Sequence, residues 1–185
     1  RPGKYAQIGV AGRLHDFGHV PSIANMGTEI ERKFLLRDAS WRNGVSASEE
    51  IVQGYLANTE RGSIRVRVSG ERASLNLKSM TLGVSRSEFD YPIPAAAARN
   101  ILATLCLRPL IEKTRHQVRC AGQNWEIDEF RGENLGLVVA ELELDHPDQP
   151  FTSPPWLGKD VSADPRYYNV CLVDHPYCNW TPQEL

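Results

Sequence analysis

The chain has 185 residues, of which 41% are hydrophobic, and this is enough for one domain with a buried core. Its formal net charge of -2 argues against a general nucleic-acid or membrane-surface binder, because such proteins carry a clear positive excess. The 4 cysteines have neither metal-finger spacing nor the density of a secreted disulfide scaffold, so we expect reduced thiols in the cytoplasm.

The first 25 residues are expected to be a vector-derived or upstream extension. They are rich in glycine and histidine, lack the apolar middle of a signal peptide and show no sustained periodicity. Met26 stands immediately before the first charged strand. We therefore expect a single domain over residues 26–185.

Over most of the remaining chain, the residue pattern predicts strands. In chain order they are expected at residues 28–36, 51–58, 63–69, 73–79, 87–93, 110–120, 124–130 and 137–144. Residues 41–50 are mixed and polar, and predict a short helix and a loop. Four alanines followed by apolar residues at helical spacing predict a helix over residues 95–107. A proline-rich loop over 147–155 and a short helix over 166–173 complete the expected elements.

Charged and polar residues recur two positions apart along these strands. The series begins with Glu29, Glu31 and Lys33, and continues with Arg65 and Arg67, Asn76 and Lys78, Glu88 and Asp90, Lys113 and Arg115, Glu126 and Asp128, and Glu141 and Glu143. Alternate side chains of a strand share one face. One or two such strands would simply present charge to solvent. A whole series of them, with clustered acids and clustered bases, indicates a barrel with a charged interior.

The bases on this shared face are suited to phosphate. Arginine makes bidentate contacts with phosphate oxygens and lysine supplies point charge. Carboxylates on the same face are suited to Mg²⁺ or Mn²⁺, which would bridge to phosphate oxygens. The alternative is an interior in which acids and bases merely pair with each other. The sequence has no glycine loop of the P-loop type, which excludes that class of nucleotidase.

The segment EIERK resembles the ExExK signature of the triphosphate tunnel metalloenzymes, or CYTH superfamily, and the chain is similar to its small bacterial inorganic triphosphatases. The similarity runs from Thr28 to about Leu172 and includes, in the family's order, IRVR, LNLK, RSEFDYPI, IEKTR, WEIDEF, AELEL and DPRYYN. The resemblance implies an α+β, mainly β fold: an antiparallel barrel of about eight strands that forms a tunnel with a few peripheral helices. It also implies a divalent metal and the hydrolysis of triphosphate substrates.

The resemblance further implies roles for single residues. The metal-holding carboxylates match Glu29, Glu31 and Glu143, with Glu141 as a further ligand or a water-orienting acid. The phosphate-binding bases match Arg65, Arg67, Lys78, Lys113 and Arg115. A catalytic lysine matches Lys33, and a tyrosine that pairs with it matches Tyr55, for which packing in the barrel wall is the alternative.

Two further assignments concern the same face. Lys113 is expected to donate a hydrogen bond or a proton to the departing diphosphate, since neighbouring cations ease proton loss from a lysine. Glu88, Asp90 and Asp128 are expected either to bind a second metal or orient water, or to brace the arginines.

The expected reaction is the hydrolysis of inorganic tripolyphosphate to diphosphate and phosphate. Nucleoside triphosphates are expected to be weaker substrates. The active form is expected to be a monomer or a homodimer. A related adenylate cyclase usually carries a His-Phe pair before the signature, whereas this chain has Asn25-Met26-Gly27-Thr28. A thiamine triphosphatase would need an additional aromatic platform, which is not evident. A polyphosphate-binding module without activity could dispense with the acids, yet every acid of the signature is present.

Overall fold

The computed structural model describes residues 26–79 and 85–184, and excludes the side chains of residues 26–29 and 85–86. The predicted extension, residues 1–25, lies outside the described residues. The strands are β1 (Met26–Leu36), β2 (Val45–Thr59), β3 (Gly62–Ser69), β4 (Arg72–Ser79), β5 (Ser85–Pro92), β6 (Ile111–Cys120), β7 (Gln123–Phe130), β8 (Val138–Glu143) and β9 (Leu157–Asp160). The helices are α1 (Ala95–Thr104), α2 (Cys171–Asp174) and 3-10 helices at Ser40–Gly44, Gly132–Asn134, Pro165–Tyr167 and Tyr177–Asn179.

Strands β1 to β8 are joined by a ring of antiparallel pairings. The sheet order is β5-β4-β3-β2-β6-β7-β8-β1-β9, and β5 also pairs with β1. Strand β1 divides its length between two neighbours, because residues 26–30 pair with β5 and residues 31–34 pair with β8. The predicted fold class, mainly antiparallel β with a few helices, is confirmed.

Several predicted bounds were wrong. Strand β2 begins at Val45, so the predicted helix and loop over 41–50 shrink to one 3-10 helix. Ladder pairing with β6, rather than burial, holds this polar start of β2. Helix α1 ends at Thr104 and not at residue 107, because the Leu107 amide donates to the carbonyl of Tyr55 and draws the chain toward β2. The predicted helix over 166–173 is two short pieces, and β9 was not predicted.

The outer face of the ring is buried by the helix and the loops. Helix α1 packs Ala98 and Leu102 against Val66 and Val68 of β3. Gly54 of β2 permits the close approach of the segment that follows α1, since a Cβ there would lie 2.7 Å from the Cβ of Cys106. These contacts fix β2 and β3, which carry polar side chains on their other face.

Aromatic rings cover the opposite side of the barrel. Phe34 of β1 and Trp125 of β7 make an edge-to-face contact at 5.8 Å between ring centroids. Trp156 and Phe151, from the loop before β9, pack on Trp125 at 5.3 and 5.8 Å. Such edge-to-face pairs stabilise by about 0.5–1.5 kcal/mol each beyond their burial.

A third apolar cluster fills one end of the interior. Ile111, Phe130 and Val139 are buried, and each lies two residues from a charged interior residue of the same strand. Their side chains therefore share the interior face. The C-terminal segment packs against them through Leu172 and Trp180. The interior is consequently apolar at this end and charged at the other.

The helices of the described residues are short. Helix α1 has 10 residues and α2 has 4. Within the described ranges, none is both long enough and apolar enough to cross a membrane. The cytoplasmic location, the single domain over 26–185 and the absence of nucleic-acid and membrane partners stay predictions.

Candidate functional site

The charged end of the interior encloses a polar cavity of about 970 Å³. The predicted site residues that line it are Glu31, Arg65, Arg67, Lys78, Glu88, Asp90, Lys113, Arg115, Glu141 and Glu143. They come from six different strands, so the spacing of two along each strand does bring them to one place. Three other described residues of the predicted site, Lys33, Tyr55 and Asp128, lie behind this lining. The side chain of Glu29, a predicted metal ligand, lies outside the described residues.

The bases that line the cavity form a basic wall: Arg65, Arg67, Lys78, Lys113 and Arg115. A tight hairpin positions Arg115 within this wall. Strands β6 and β7 are joined by Ala121 and Gly122, both with positive φ, as a type I′ turn requires. The resulting register places Arg115 opposite Asp128. Arg115 donates from Nε and Nη2 to the two carboxylate oxygens of Asp128, both at 2.7 Å. This bidentate pair holds the guanidinium in one orientation at the cavity surface.

Lys113 is 3% exposed and is ion-paired with Asp128. Its Nζ lies 5.5 Å from the ring centroid of Phe130, at the edge of the apolar cluster. Burial and the neighbouring Arg115 lower the pKa of Lys113 to about 8, against the opposing pull of Asp128. The predicted direction of this shift agrees with the structure, although burial contributes more than like charge. Asp128 is fully buried beneath both bases, which favours bracing over metal binding for this acid.

Lys33 is buried between two acids and forms ion pairs with Glu31 and Glu141. Burial disfavours its charge, but the two carboxylates outweigh it and raise the pKa of Lys33 well above its usual value. Glu141 also accepts from Arg115, and Lys33 and Arg115 hold the pKa of Glu141 well below its usual range despite burial. Lys33 is therefore a permanent cation that fixes both acids. The engaged oxygens of Glu141 favour a water-orienting role over that of a metal ligand.

Two acids of β5 contact the basic residues of β3 and β4. Glu88 lies 3.8 Å from Arg65 and 3.0 Å from Lys78. Asp90 accepts at 2.7 Å from Nδ2 of Asn76, whose Oδ1 accepts from Arg65. Both contacts favour the bracing alternative for Glu88 and Asp90.

Arg67 differs from the other bases of the wall. It forms no ion pair within the described part of the chain. Burial, and then repulsion by Arg115 and Arg65, lower the pKa of Arg67. The wall therefore carries positive charge at Arg67 that an incoming anion would stabilise.

Two carboxylates face each other across β1 and β8. Glu31 and Glu143 are directly opposite in the register, and both line the cavity. Like charges opposite each other in a sheet are destabilising, and a hard divalent cation with oxygen ligands removes that repulsion. The donor set therefore fits Mg²⁺ or Mn²⁺, although among the described side chains no three acids, histidines or thiols already converge on one point.

Tyr55 belongs to the apolar cluster at one end of the interior, together with Ile111 and Phe130. It is buried and does not line the cavity. The structure thus supports the packing alternative, and the pairing of Tyr55 with Lys33 stays a prediction.

Several residues that line the cavity were not predicted, and Glu126 and Gln53 are two of them. Glu126 lines the cavity and is ion-paired with Arg115, although only its spacing from Asp128 was noted. Gln53 lines the cavity on β2, two residues before Tyr55. That spacing was the available signal, since Gln53 shares the face of a residue that was singled out.

The arrangement agrees with the comparison to known families. The model of the CYTH domain matches residues 27–169 of the chain. The chain belongs to the CYTH family. The predicted family is thereby confirmed, and CYTH triphosphatases depend in general on a metal ion.

Close CYTH relatives carry a functional name. An inorganic triphosphatase of Acetivibrio thermocellus is 42% identical over 155 residues, which cover 84% of this chain and 99% of the relative. An inorganic triphosphatase of Nitrosomonas europaea is 36% identical over 150 residues, covering 79% of this chain and 97% of the relative. A crystal structure of an inorganic triphosphatase superposes with a TM-score of 0.61 at 33% identity, covering 80% of this CYTH chain and 95% of the other.

Proposed function

We propose that this CYTH protein hydrolyses inorganic tripolyphosphate to diphosphate and phosphate with Mg²⁺ or Mn²⁺. The observation that carries the proposal is the division of charge within one cavity. Arg67 stands among mutually repelling guanidinium groups on one side, and Glu31 and Glu143 face each other on the other side. An anion and a divalent cation bound together would stabilise both sides. The names of the two relatives support the same reaction.

The proposed roles of the cavity residues follow from their charges. The bases that would bind phosphate oxygens are Arg65, Arg67, Lys78 and Arg115. Glu31 and Glu143, with Glu29, would hold the divalent ion, which supplies charge neutralisation on the phosphate oxygens. Lys113 would donate a hydrogen bond or a proton to the bridging oxygen of the departing diphosphate. Lys33 would keep Glu31 and Glu141 in position, with Glu141 orienting the attacking water.

The lining favours an inorganic substrate over a nucleotide or thiamine triphosphate. No aromatic side chain is present among the described residues that line the cavity. Its apolar members are Leu142 and Leu144, which offer no flat surface on which a nucleobase or a thiazole ring could stack. The predicted substrate therefore remains tripolyphosphate.

A phosphate-release panel tests the function. Purified protein with Mg²⁺ or Mn²⁺ is assayed on tripolyphosphate, ATP, thiamine triphosphate and long-chain polyphosphate, and cyclic AMP is measured in the ATP reaction. We expect the highest kcat/KM for tripolyphosphate. Cyclic AMP as the main product would replace the hydrolase by a cyclase, and tight binding without phosphate release would indicate a polyphosphate-binding module.

Arg67→Ala is expected to raise KM for tripolyphosphate by about 10- to 100-fold, with a much smaller change in kcat. A hydrogen bond to a charged group contributes about 1.5–3 kcal/mol, and a fork that contacts a non-reacting phosphate acts in ground and transition states alike. Steady-state kinetics measure the change, with Arg99→Ala, at an exposed position of α1, as the matched control. An effect on kcat alone would contradict a binding role.

A further inference from the structure

Gln53 lines the cavity and carries a buried hydrogen-bond donor that is unpaired within the described part of the chain. Its side chain is 1% exposed and lines the cavity. Within the described residues, Nε2 of Gln53 has no hydrogen-bond partner. A buried donor without a partner costs free energy, so its presence calls for a physical reason.

The strand register surrounds Gln53 with phosphate-binding candidates. Directly opposite it lie Arg67 on β3 and Ile111 on β6. One step along the same faces, the diagonal neighbours are Arg65 and Lys113. Opposite residues in a sheet have Cβ atoms about 4.5–5.5 Å apart, and diagonal ones about 7–8 Å, within reach of long side chains. The amide of Gln53 therefore lies among three bases, at the border with the apolar cluster.

We infer that the Gln53 side chain turns when tripolyphosphate binds, so that its buried Nε2 donates a hydrogen bond to a phosphate oxygen at the innermost end of the cavity, a role that rests on the proposed function. An amide suits this position because it supplies a directed donor without adding a further positive charge among Arg65, Arg67 and Lys113. The neighbouring Ile111 offers no donor, so the amide provides what the border of the apolar cluster lacks. The bound phosphate would in turn remove the unpaired state of Nε2.

The inference predicts opposite effects on binding and on stability. Gln53→Met keeps nearly the same volume and removes the donor. We expect KM for tripolyphosphate, and its Kd in calorimetry, to rise by about 10- to 100-fold with kcat changed less than about threefold, since the lost bond would go to a charged acceptor. The Tm of the free protein should stay the same or rise, because an unpaired polar group is replaced by an apolar one of similar shape.

Two further variants sharpen the test. Gln53→Glu is isosteric but places a carboxylate against the phosphate, so it should weaken binding more than Gln53→Met, and it carries the test if the methionine variant does not fold. Trp125→Phe removes another buried N–H without a partner among the described residues, outside the cavity in the aromatic cluster. This matched control should leave KM unchanged.

The outcomes separate this inference from the proposed function. A Gln53→Met protein with wild-type KM and a lowered Tm would show a structural role and overturn the inference while the function stands. A wild-type protein that neither binds nor hydrolyses tripolyphosphate would overturn the function and the inference together. Weakened tripolyphosphate binding, with an unchanged Tm and an unaffected Trp125→Phe control, would support it.

Discussion

Replacing Glu143 by glutamine is expected to lower kcat/KM for tripolyphosphate by on the order of 10³-fold. A metal ion contributes several kcal/mol of charge stabilisation in the transition state, and each 1.36 kcal/mol is a factor of ten in rate. Glu143 is opposite Glu31 across the strand pair, so the two carboxylates would supply oxygen ligands to the ion from one place on the cavity wall. Removing the metal with a chelator should abolish turnover in the wild-type protein to a similar degree.

Metal binding can be measured independently of hydrolysis. Calorimetry with Mg²⁺ or Mn²⁺ should show weakened binding in Glu143→Gln. The ion should raise the Tm of the wild-type protein, and this rise should be lost in the variant. Glu71→Gln, the same change at a side chain 93% exposed in the β3–β4 turn, is the control. Unchanged metal affinity in Glu143→Gln would remove this residue from the ligand set, and undiminished hydrolysis in excess chelator would remove the metal from the mechanism.

Lys113→Ala is expected to lose on the order of 10²-fold in kcat on tripolyphosphate, the lower range for a positioned acid. Negative charge develops on the bridging oxygen as diphosphate departs, and catalysis of phosphoryl transfer consists largely of stabilising such charge. Lys113 faces the cavity beside Arg115 and is held by the buried Asp128. Lys159→Ala, at an exposed position of β9, serves as the control.

An activated substrate shows whether Lys113 assists the leaving group or only binds phosphate. On p-nitrophenyl triphosphate, whose leaving group needs little help, Lys113→Ala should lose less than on tripolyphosphate. Equal losses on both substrates would make Lys113 only a phosphate-binding base.

The pH dependence of kcat/KM follows from the same group. Lys113 can donate its proton only below its folded-state pKa of about 8, so kcat/KM should fall as the pH rises through this value. In Lys113→Arg the guanidinium stays protonated, and the alkaline decline should move to higher pH. Bound phosphate favours the lysine cation, so the decline in kcat should lie above that in kcat/KM. A wild-type decline that persists unchanged in Lys113→Arg would contradict the assignment.

The alternation of side chains predicted the charged interior because it depends only on the strand period. Residues such as Arg65 and Glu141 face the cavity as soon as their strands pair. The polar start of β2 could not be recognised, since pairing with β6 rather than an apolar face makes it a strand. Strand β9 has four residues, LGKD, which are too few and too mixed to show a period.

The apolar end of the interior escaped prediction for a different reason. Ile111, Phe130 and Val139 look like ordinary strand residues, and only the three-dimensional register places them at one level with Leu172 of the distant C-terminal segment. For Gln53 the spacing from Tyr55 indicates only the shared face. That its Nε2 has no partner among the described residues appears only once the surrounding side chains are in place.

The apolar cluster limits the routes by which substrate can enter the cavity and products can leave it. Because Ile111, Phe130 and Leu172 fill one end of the interior among the described residues, we expect molecules that enter the charged cavity to leave through the opening by which they entered. The fragment nearer this opening would therefore have to depart before the inner one can follow. If the proposed function holds, we expect a long polyphosphate to insert only a terminus, and any cleavage to shorten it from its ends.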